Sequence, residues 1–548
     1  MKITKISLTN FRSFKSTQSI ELAPVTLLFG PNSVGKSSVL MALAYVQQIL
    51  SKGHCNPQKL DALGDKMIGG FRSLVYGQDT NQSIKIRLYF DAGNTPFVSY
   101  ATDVSRMADV MRIGPEIVLM KDFGGSIETG AVEFEISWST RHKKAFVKNY
   151  RVWINGRYIG CITSSEDQKN TVINELNTKH PLLLPCDYED WMQSHYGPEN
   201  ERELFDIEEL HTEFELNLKN LNPNPVETAA IADIESAEEK FVNCIAPISL
   251  VCQHGAIPML GFPVMTNLDG QDFHNSGDHL NFLVIREVLS QAFVLPLDKL
   301  LETIDKSILI GPLRVVPDNE YVPNPHPEQA DWVDGSAAWD LLHKDPSSDD
   351  SIKKLLRNTS KWFYSKDKLD SGYEVINRSL IDTLHLQDDS NPAMLGLINK
   401  RHVYFRELRT DIYLSANQLG TGISQVLPLV VASNYDSLGL IGIEQPELHL
   451  HPRFQVELAD LFLTTRDKHS FLIETHSEHI VLRLLRRIRE SNKAKTDNNI
   501  ISPDDISVVY LSPSPDGTIA ERLAITMDGD FEHDWPHGFF DERDGELF

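Results

Sequence analysis

The 548-residue sequence has only five cysteines, Cys55, Cys161, Cys186, Cys244 and Cys252. They are odd in number and scattered, with no C-x-x-C pair. That excludes a disulfide framework and a cysteine zinc site, and it fits a reducing cytoplasm. No apolar run approaches the ~20 residues that a bilayer-crossing helix needs. The N-terminal MKITKISLTNF alternates apolar with polar residues instead of carrying a signal-peptide core, so a soluble, unprocessed chain with no membrane partner is expected. Positive charge is also short. Against 77 acidic residues stand 52 basic ones, a formal net charge of −25, so the surface as a whole repels nucleic acid and anionic membrane. Contact with DNA or RNA would have to be local or delivered by a partner. Internal repeats and a sustained heptad seam are missing too, which removes solenoids and long coiled coils.

What is present reads as a globular protein. Hydrophobic content of 41% and charged content of 24% suit large cores, and the length suggests roughly three or four domain-sized units. Ile3, Ile6 and Leu8 predict an edge strand and PVTLLFG at 24 to 30 a buried one, followed by a helix from Lys36 to Leu50. Alternation over 84 to 92 and 132 to 159 predicts antiparallel strands, and an acidic helical pattern covers about 200 to 242. Helical patterns occupy 279 to 306, 336 to 344, 351 to 363 and 374 to 385, with a strand expected at 307 to 316 and a Pro-rich loop at 317 to 329. From 411 onward strand and helix alternate through DIYLSA, GISQVLPLVVASN, LGLIGIE, RFQVELADLFLTT, SFLIETH and EHIVLRLLRRIRE, the order of an α/β sheet with helices packed on it.

GPNSVGKSS, residues 30 to 38, matches G-x-x-x-x-G-K-[ST] between a predicted buried strand and a predicted helix, the context the motif requires. Gly30 and Gly35 allow tight turns, so the backbone N–H groups of Pro31's successors Asn32, Ser33 and Val34 and of the helix start at Lys36, Ser37 and Ser38 can face phosphate oxygens. Lys36 supplies a cation for the β- and γ-phosphates and Ser37 a hydroxyl for Mg²⁺. Such a loop needs a carboxylate at the end of a neighbouring strand. Glu444, ending LIGIE, supplies one and is a second candidate metal ligand, although a surface glutamate after a core strand has the same pattern. In LGTGISQVLP, Gly420, Thr421 and Gly422 precede a helical run and form a second donor-rich loop suited to a terminal phosphate, best reached from a partner subunit; an ordinary Gly-containing loop is the alternative. His476, ending SFLIETH, can touch a γ-phosphate or its attacking water, or can be a hydrogen-bonded histidine at a strand end.

Taken in order, NFRSF at 10 to 14, GPNSVGKSS, LGTGISQ, IEQPELHLHP and ETHS resemble the ATP-binding-cassette heads of the RecF, SMC and OLD group. The resemblance implies an α/β, ABC-type P-loop NTPase head, a mixed sheet with flanking helices, built from residues 1–80 and 401–490. A large mixed α+β insertion would fill 81–400 and a short extension 491–548. It implies that two heads close around two ATP molecules, with Lys36 and Ser37 on phosphate and magnesium, Glu444 as strand-end acid, Gly420, Thr421 and Gly422 as signature and His476 as switch histidine. GPLRVVPDNEYV at 311 to 322, GISQVLP and MDGDFEHDWPHGFFDE at 527 to 542 further resemble the PtuA-type ATPases of Septu anti-phage systems and Septu-type retrons. That implies partners: an HNH nuclease of the PtuB type and, in retrons, a reverse transcriptase with its RNA-linked DNA (msDNA). An OLD-like nuclease and a RecF- or SMC-like DNA-maintenance ATPase are the other readings.

Gln445 departs from the family pattern, in which the residue after the strand-end acid is a glutamate that polarises water. An amide orients water but takes up no proton, and general-base help is worth ~10²–10⁴-fold, so slow hydrolysis is expected; a tolerated variant with normal turnover is the alternative. Glu447, two residues on, could substitute, with His476 sharing the work. KKLLRNTSKWFYSKDK at 353 to 368 and RLLRRIRE at 483 to 490 are basic islands on which a polyanion could land, or solvated helix faces. ENERELFDIEELHTEFE at 199 to 215 is an exposed helix or a docking face for a basic nuclease. Asp528, Asp530, Glu532 and Asp534 would be a nuclease metal site only if the short tail formed its own domain.

Overall fold

The computed structural model describes residues 1–64, 66–93, 97, 100, 124–178, 180, 182, 248–266, 276–381, 399–436, 439–494 and 500–533. The acidic segment at 199 to 215, Cys186, Cys244 and the run from Asp534 onward lie outside them.

Two sheets share one helix. The first has six strands in the order Ile308–Ile310, Leu440–Glu444, Ser470–Glu474, Val25–Phe29, Ile506–Ser514 and Gly517–Leu523. Five are parallel, and the last turns back as an antiparallel hairpin. Every residue of VTLLF is buried, as a central parallel strand covered on both faces requires. The second sheet is antiparallel and ten-stranded. It runs from Gln18–Glu21 through Lys2–Thr9, Ile84–Asp91, Thr129–Ser139, Lys144–Ile154, Arg157–Ser164 and Thr171–Leu176 to Ile248–His254, with Ile257–Pro258 and Met265–Thr266 paired at that end. In IKIRLYFD burial alternates residue by residue, the signature of one face on a core.

The helix Lys36–Lys52 lies between the sheets and is apolar nearly all round, the composition of a helix with no solvent face. Val39, Leu43 and Val46 pack in one cluster with Ile6, Leu8 and Ile86 of the antiparallel sheet and with Leu28, Leu472 and Val509 of the parallel one. On the opposite face of the parallel sheet, Leu27, Phe29, Ile441, Ile443 and Ile473 join a second core with the helices Thr421–Asn434, Pro452–Thr465 and Glu478–Ala494.

Several expectations are corrected. Lys2–Thr9 is an interior strand, because the four-residue Gln18–Glu21, too short to show a period, pairs along its outer side. The helical stretch at 279 to 306 is two helices, Ser276–Phe293 and Leu295–Asp305, divided where Pro296 lacks an N–H. The strand at 307 to 316 is confined to Ile308–Ile310, which belongs to the parallel sheet although it falls within 81–400. The stretch from 374 is the strand Tyr373–Ile381, paired with Asn399–Glu407, where Tyr373, Val375 and Ile376 favour a pleated surface.

The two basic islands differ. In the first, Trp362 and Phe363 are core residues, Tyr364 stays exposed, and Lys354 pairs with Asp436 at 2.5 Å. In the helix Glu478–Ala494, Arg483 and Arg487 both fork onto Asp460 at 2.6 Å, Arg486 pairs with Glu490 and Arg489 with Asp530. Burial pushes the Cys55, Cys161 and Cys252 thiols up to about 12, so they are inert as nucleophiles. No helix among the described residues is long and apolar enough to cross a membrane.

Asp460 is 9% exposed and is the shared acceptor of two guanidinium groups. Asp460→Ala leaves both without it and should cost about 2–3 kcal/mol of stability, read from urea unfolding.

Candidate functional site

The loop after Val25–Phe29 turns on three left-handed residues, Gly30 (φ 140°), Ser33 (φ 64°) and Gly35 (φ 111°), which bend it into a concave run of N–H groups. The glycines are obligatory. A Cβ on Gly30 would lie 2.2 Å from the Leu511 carbonyl oxygen, and one on Gly35 would lie 2.0 Å from Ser13 Oγ. Pro31, Asn32 and Ser33 are exposed at the rim, and Val34 is buried beneath it. The Val34 carbonyl accepts from Ser13 Oγ at 3.0 Å and from Thr518 Oγ1 at 2.5 Å, while Thr518 N–H donates to the Ser13 carbonyl at 2.8 Å. NFRSF thus buttresses the loop from below. Ser38 closes the first turn, its N–H on the Gly35 carbonyl at 3.0 Å.

Lys36 is 3% exposed. Its Nζ donates to the Gly30 and Pro31 carbonyls at 2.9 Å each and lies 3.8 Å from Glu474 Oε1. Burial lowers its pKa, and the charges of Glu474 and Glu447 oppose that shift. Ser37 Oγ donates to Glu474 Oε2 at 2.6 Å.

Glu474 is the residue that sequence reasoning passed over. Parallel register sets it opposite Leu28 on one side and Glu444 on the other, so two strand-end carboxylates stand side by side. Its signal was legible, an apolar run ending in an acid, as in LIGIE, but the histidine two positions on drew the attention. Glu444 reaches Lys66 at 3.8 Å instead of Ser37. Burial raises the Glu444 carboxyl pKa, Lys66 works against that and the Glu474 charge adds to it.

Gln445 leaves the strand in a left-handed conformation, φ 46°, with its N–H on the Glu474 carbonyl at 2.8 Å. The chain then folds back through turns closed by Leu448 on Gln445 and Leu450 on Glu447. That return brings Glu447 to the histidine strand, where Thr475 Oγ1 donates to Oε2 at 2.8 Å and the His476 N–H to Oε1 at 2.7 Å. Glu444, Glu447, Glu474, His476, Lys36 and Ser37 thus belong to one site. Gly420 and Thr421 stand exposed at the N-terminus of Thr421–Asn434, and Gly422 packs against the loop after Gln445, where a Cβ would lie 3.0 Å from the His449 carbonyl oxygen.

The concave N–H run, the buried ammonium and the hydroxyl beside carboxylates fit a phosphate ester with a hard divalent cation. Among the described residues no group of three or more His, Cys, Asp or Glu could hold a metal ion by itself. That donor set suits Mg²⁺ carried in by phosphates, which takes only one or two protein carboxylates.

A family model described as an AAA ATPase domain matches residues 1–241 and 336–481, more than half of the chain. Comparison with curated proteins finds no match. Among solved structures the chain is similar to an SMC head bound to the C-winged helix domain of ScpA, at 9% identity, 96% of this chain, 98% of that one and a TM-score of 0.37. It is also similar to the SMC head domain from Thermotoga maritima, at 9% identity, 96% of this chain, 100% of that one and a TM-score of 0.36.

Burial, then the Lys36 charge, hold the His476 imidazole below its ordinary 6.5, against the pull of Glu447 and Glu474. The unfolded chain therefore takes up that proton first, so the stability contributed by the neutral ring is present above about 6.5 and is lost as pH falls through the folded value. His476→Gln should flatten part of the acid-side fall in melting temperature that sets in below about pH 6.5, measured against the parent.

Proposed function

Because the chain belongs to the AAA ATPase domain family, we propose that it binds ATP with Mg²⁺ at this loop and hydrolyses it slowly, as one half of a clamp that a second copy completes. The observation that carries the reading is Lys36, an ammonium 3% exposed and held between two loop carbonyls and a strand-end carboxylate. So costly a placement suits a cation that exchanges those partners for phosphate oxygens.

In this reading the N–H groups of residues 32 to 37 and the Lys36 ammonium hold the β- and γ-phosphates. Ser37, with Glu474 and Glu444 at the ends of adjacent strands, serves the Mg²⁺ side; when bound, the ion neutralises charge on the transferring phosphoryl. Glu447 and His476 face the water side. Gln445 orients water, and Glu447 is the carboxylate held beside the histidine by two hydrogen bonds. Gly420, Thr421 and Gly422, at a helix N-terminus, are suited to the terminal phosphate on a second copy, which makes a homodimer or higher oligomer part of the proposal. The head comprises residues 1–80 and 401–490 together with Ile308–Ile310, Ile506–Ser514 and Gly517–Leu523, which complete its six-stranded sheet; 81–400 is otherwise the insertion, and of 491–548 only the remainder is an extension.

The resemblance of GPLRVVPDNEYV and the terminal run to PtuA-type ATPases supports a role in cytoplasmic anti-phage defence, gating an HNH nuclease of the PtuB type. In a retron setting it would act with a reverse transcriptase and msDNA. The net charge of −25 and the paired arginines of Glu478–Ala494 favour contact with nucleic acid through such partners.

Lys36→Ala should weaken ATP binding by about 10–100-fold in equilibrium titration and abolish ATP-driven assembly in sedimentation. Unchanged binding and assembly would sink the proposal. Gln445→Glu restores a proton acceptor beside Glu444 and should raise steady-state turnover by about tenfold or more, measured as phosphate release.

A further inference from the structure

GPLRVV leaves the parallel sheet after Ile310, and Arg314 turns inward to 4% exposure. Its backbone N–H donates to Gln425 Oε1 at 3.2 Å and its carbonyl accepts from Gln425 Nε2 at 2.6 Å, a two-bond clamp onto the helix Thr421–Asn434. The guanidinium reaches further. Nη1 donates to the Gln425 carbonyl at 3.3 Å, and Nη2 to the Glu444 carbonyl at 3.2 Å and the Gln445 carbonyl at 3.3 Å. One side chain therefore ties the start of the signature helix to the two residues that end the acid strand. Gly422 against the His449 carbonyl adds a direct contact between the same two elements.

Folding has no evident need of a charge there. The Gln425 amide already fixes the backbone, Arg314 Nε has no partner, and the acceptors of the fork are neutral carbonyls. Burial pulls the Arg314 pKa down to about 10 against the charge of Glu447, which leaves it a cation at neutral pH. What the guanidinium adds is reach to two motifs at once.

We propose that Arg314 is a positioning residue that makes the signature helix and the acid loop move as one body. It thereby links the nucleotide on this chain's own phosphate loop to the nucleotide that its signature meets on a second copy. The inference rests on the two-copy clamp proposed above. A signature drawn onto phosphate pulls, through the fork, on the carbonyls of Glu444 and Gln445, and the reverse follows by reciprocity of linked equilibria.

Arg314→Met keeps the stem and removes the fork, whereas Arg314→Lys keeps the charge but reaches one acceptor at a time. Phosphate release is measured against ATP concentration, together with ATP binding at protein concentrations where the chain is monomeric, and thermal melting. For Arg314→Met, monomer binding should stay within about twofold of the parent, the Hill coefficient should fall from about 2 toward about 1, and kcat should drop about tenfold or more. Arg314→Lys should lie between, and any fall in the melting temperature of either should leave monomer binding at the parent level. Parent-like cooperativity and kcat in both variants would overturn the inference. So would a loss of monomer binding in step with a lower melting temperature, the mark of a merely structural residue. If Arg314→Met does not fold, Arg314→Lys decides on the same readings. A parent that neither dimerises nor shows cooperativity with ATP removes the clamp itself and this inference with it; a cooperative parent with cooperative variants removes only the role of Arg314.

Discussion

The constraint on which the rest depends is the burial of the helix Lys36–Lys52 between two sheets. A helix packed against both sheets cannot tilt without repacking each of those faces, and interiors at crystal-like density resist that. Its first turn therefore holds Lys36 and Ser37 in place relative to the ends of Ser470–Glu474 and Leu440–Glu444 before any ligand arrives. The left-handed residues Gly30, Ser33 and Gly35 then shape the loop on a support that does not give. Preorganisation of this kind lowers the ordering cost of binding a phosphate chain.

Much of this was legible in the sequence because the signals were local. A G-x-x-x-x-G-K-S run between a five-residue apolar strand and a helix carries its own context, and LIGIE announces a strand-end acid. What stayed hidden depended on pairing. Glu474 meets Ser37 only because its strand lies between Val25–Phe29 and Leu440–Glu444, a neighbour relation that no window of residues encodes. Arg483 and Arg487 of RLLRRIRE read as part of a free basic face because Asp460, their common acceptor, lies on a different helix. Tyr373–Ile381 went astray for another reason: in a nine-residue half-buried strand the period of two is easily mistaken for a helical stripe, and the partner Asn399–Glu407 settles the matter from a distance.

The balance of charge inside the site runs against that of the surface only in part. The protein is acidic overall, and the cleft too gathers three carboxylates, Glu444, Glu447 and Glu474, around one buried ammonium and the exposed Lys66. Adjacent Glu444 and Glu474 repel, which is part of why the Glu444 carboxyl pKa is raised. A site so arranged is unfavourable toward a bare polyanion and favourable toward one that brings its own divalent counter-charge. Under the proposed function, that imbalance would favour a metal-complexed phosphate chain over free phosphate without any contact to a base or sugar.

The floor of the phosphate loop is gripped by hydroxyls from Ser13 and Thr518, whose segments are themselves laced together. Thr518 follows Val34 by 484 residues. During translation the loop is therefore made that far ahead of its second support. A growing chain is kept from a firmly floored seat until the intervening residues have been made, so that a settled loop reports on all of them.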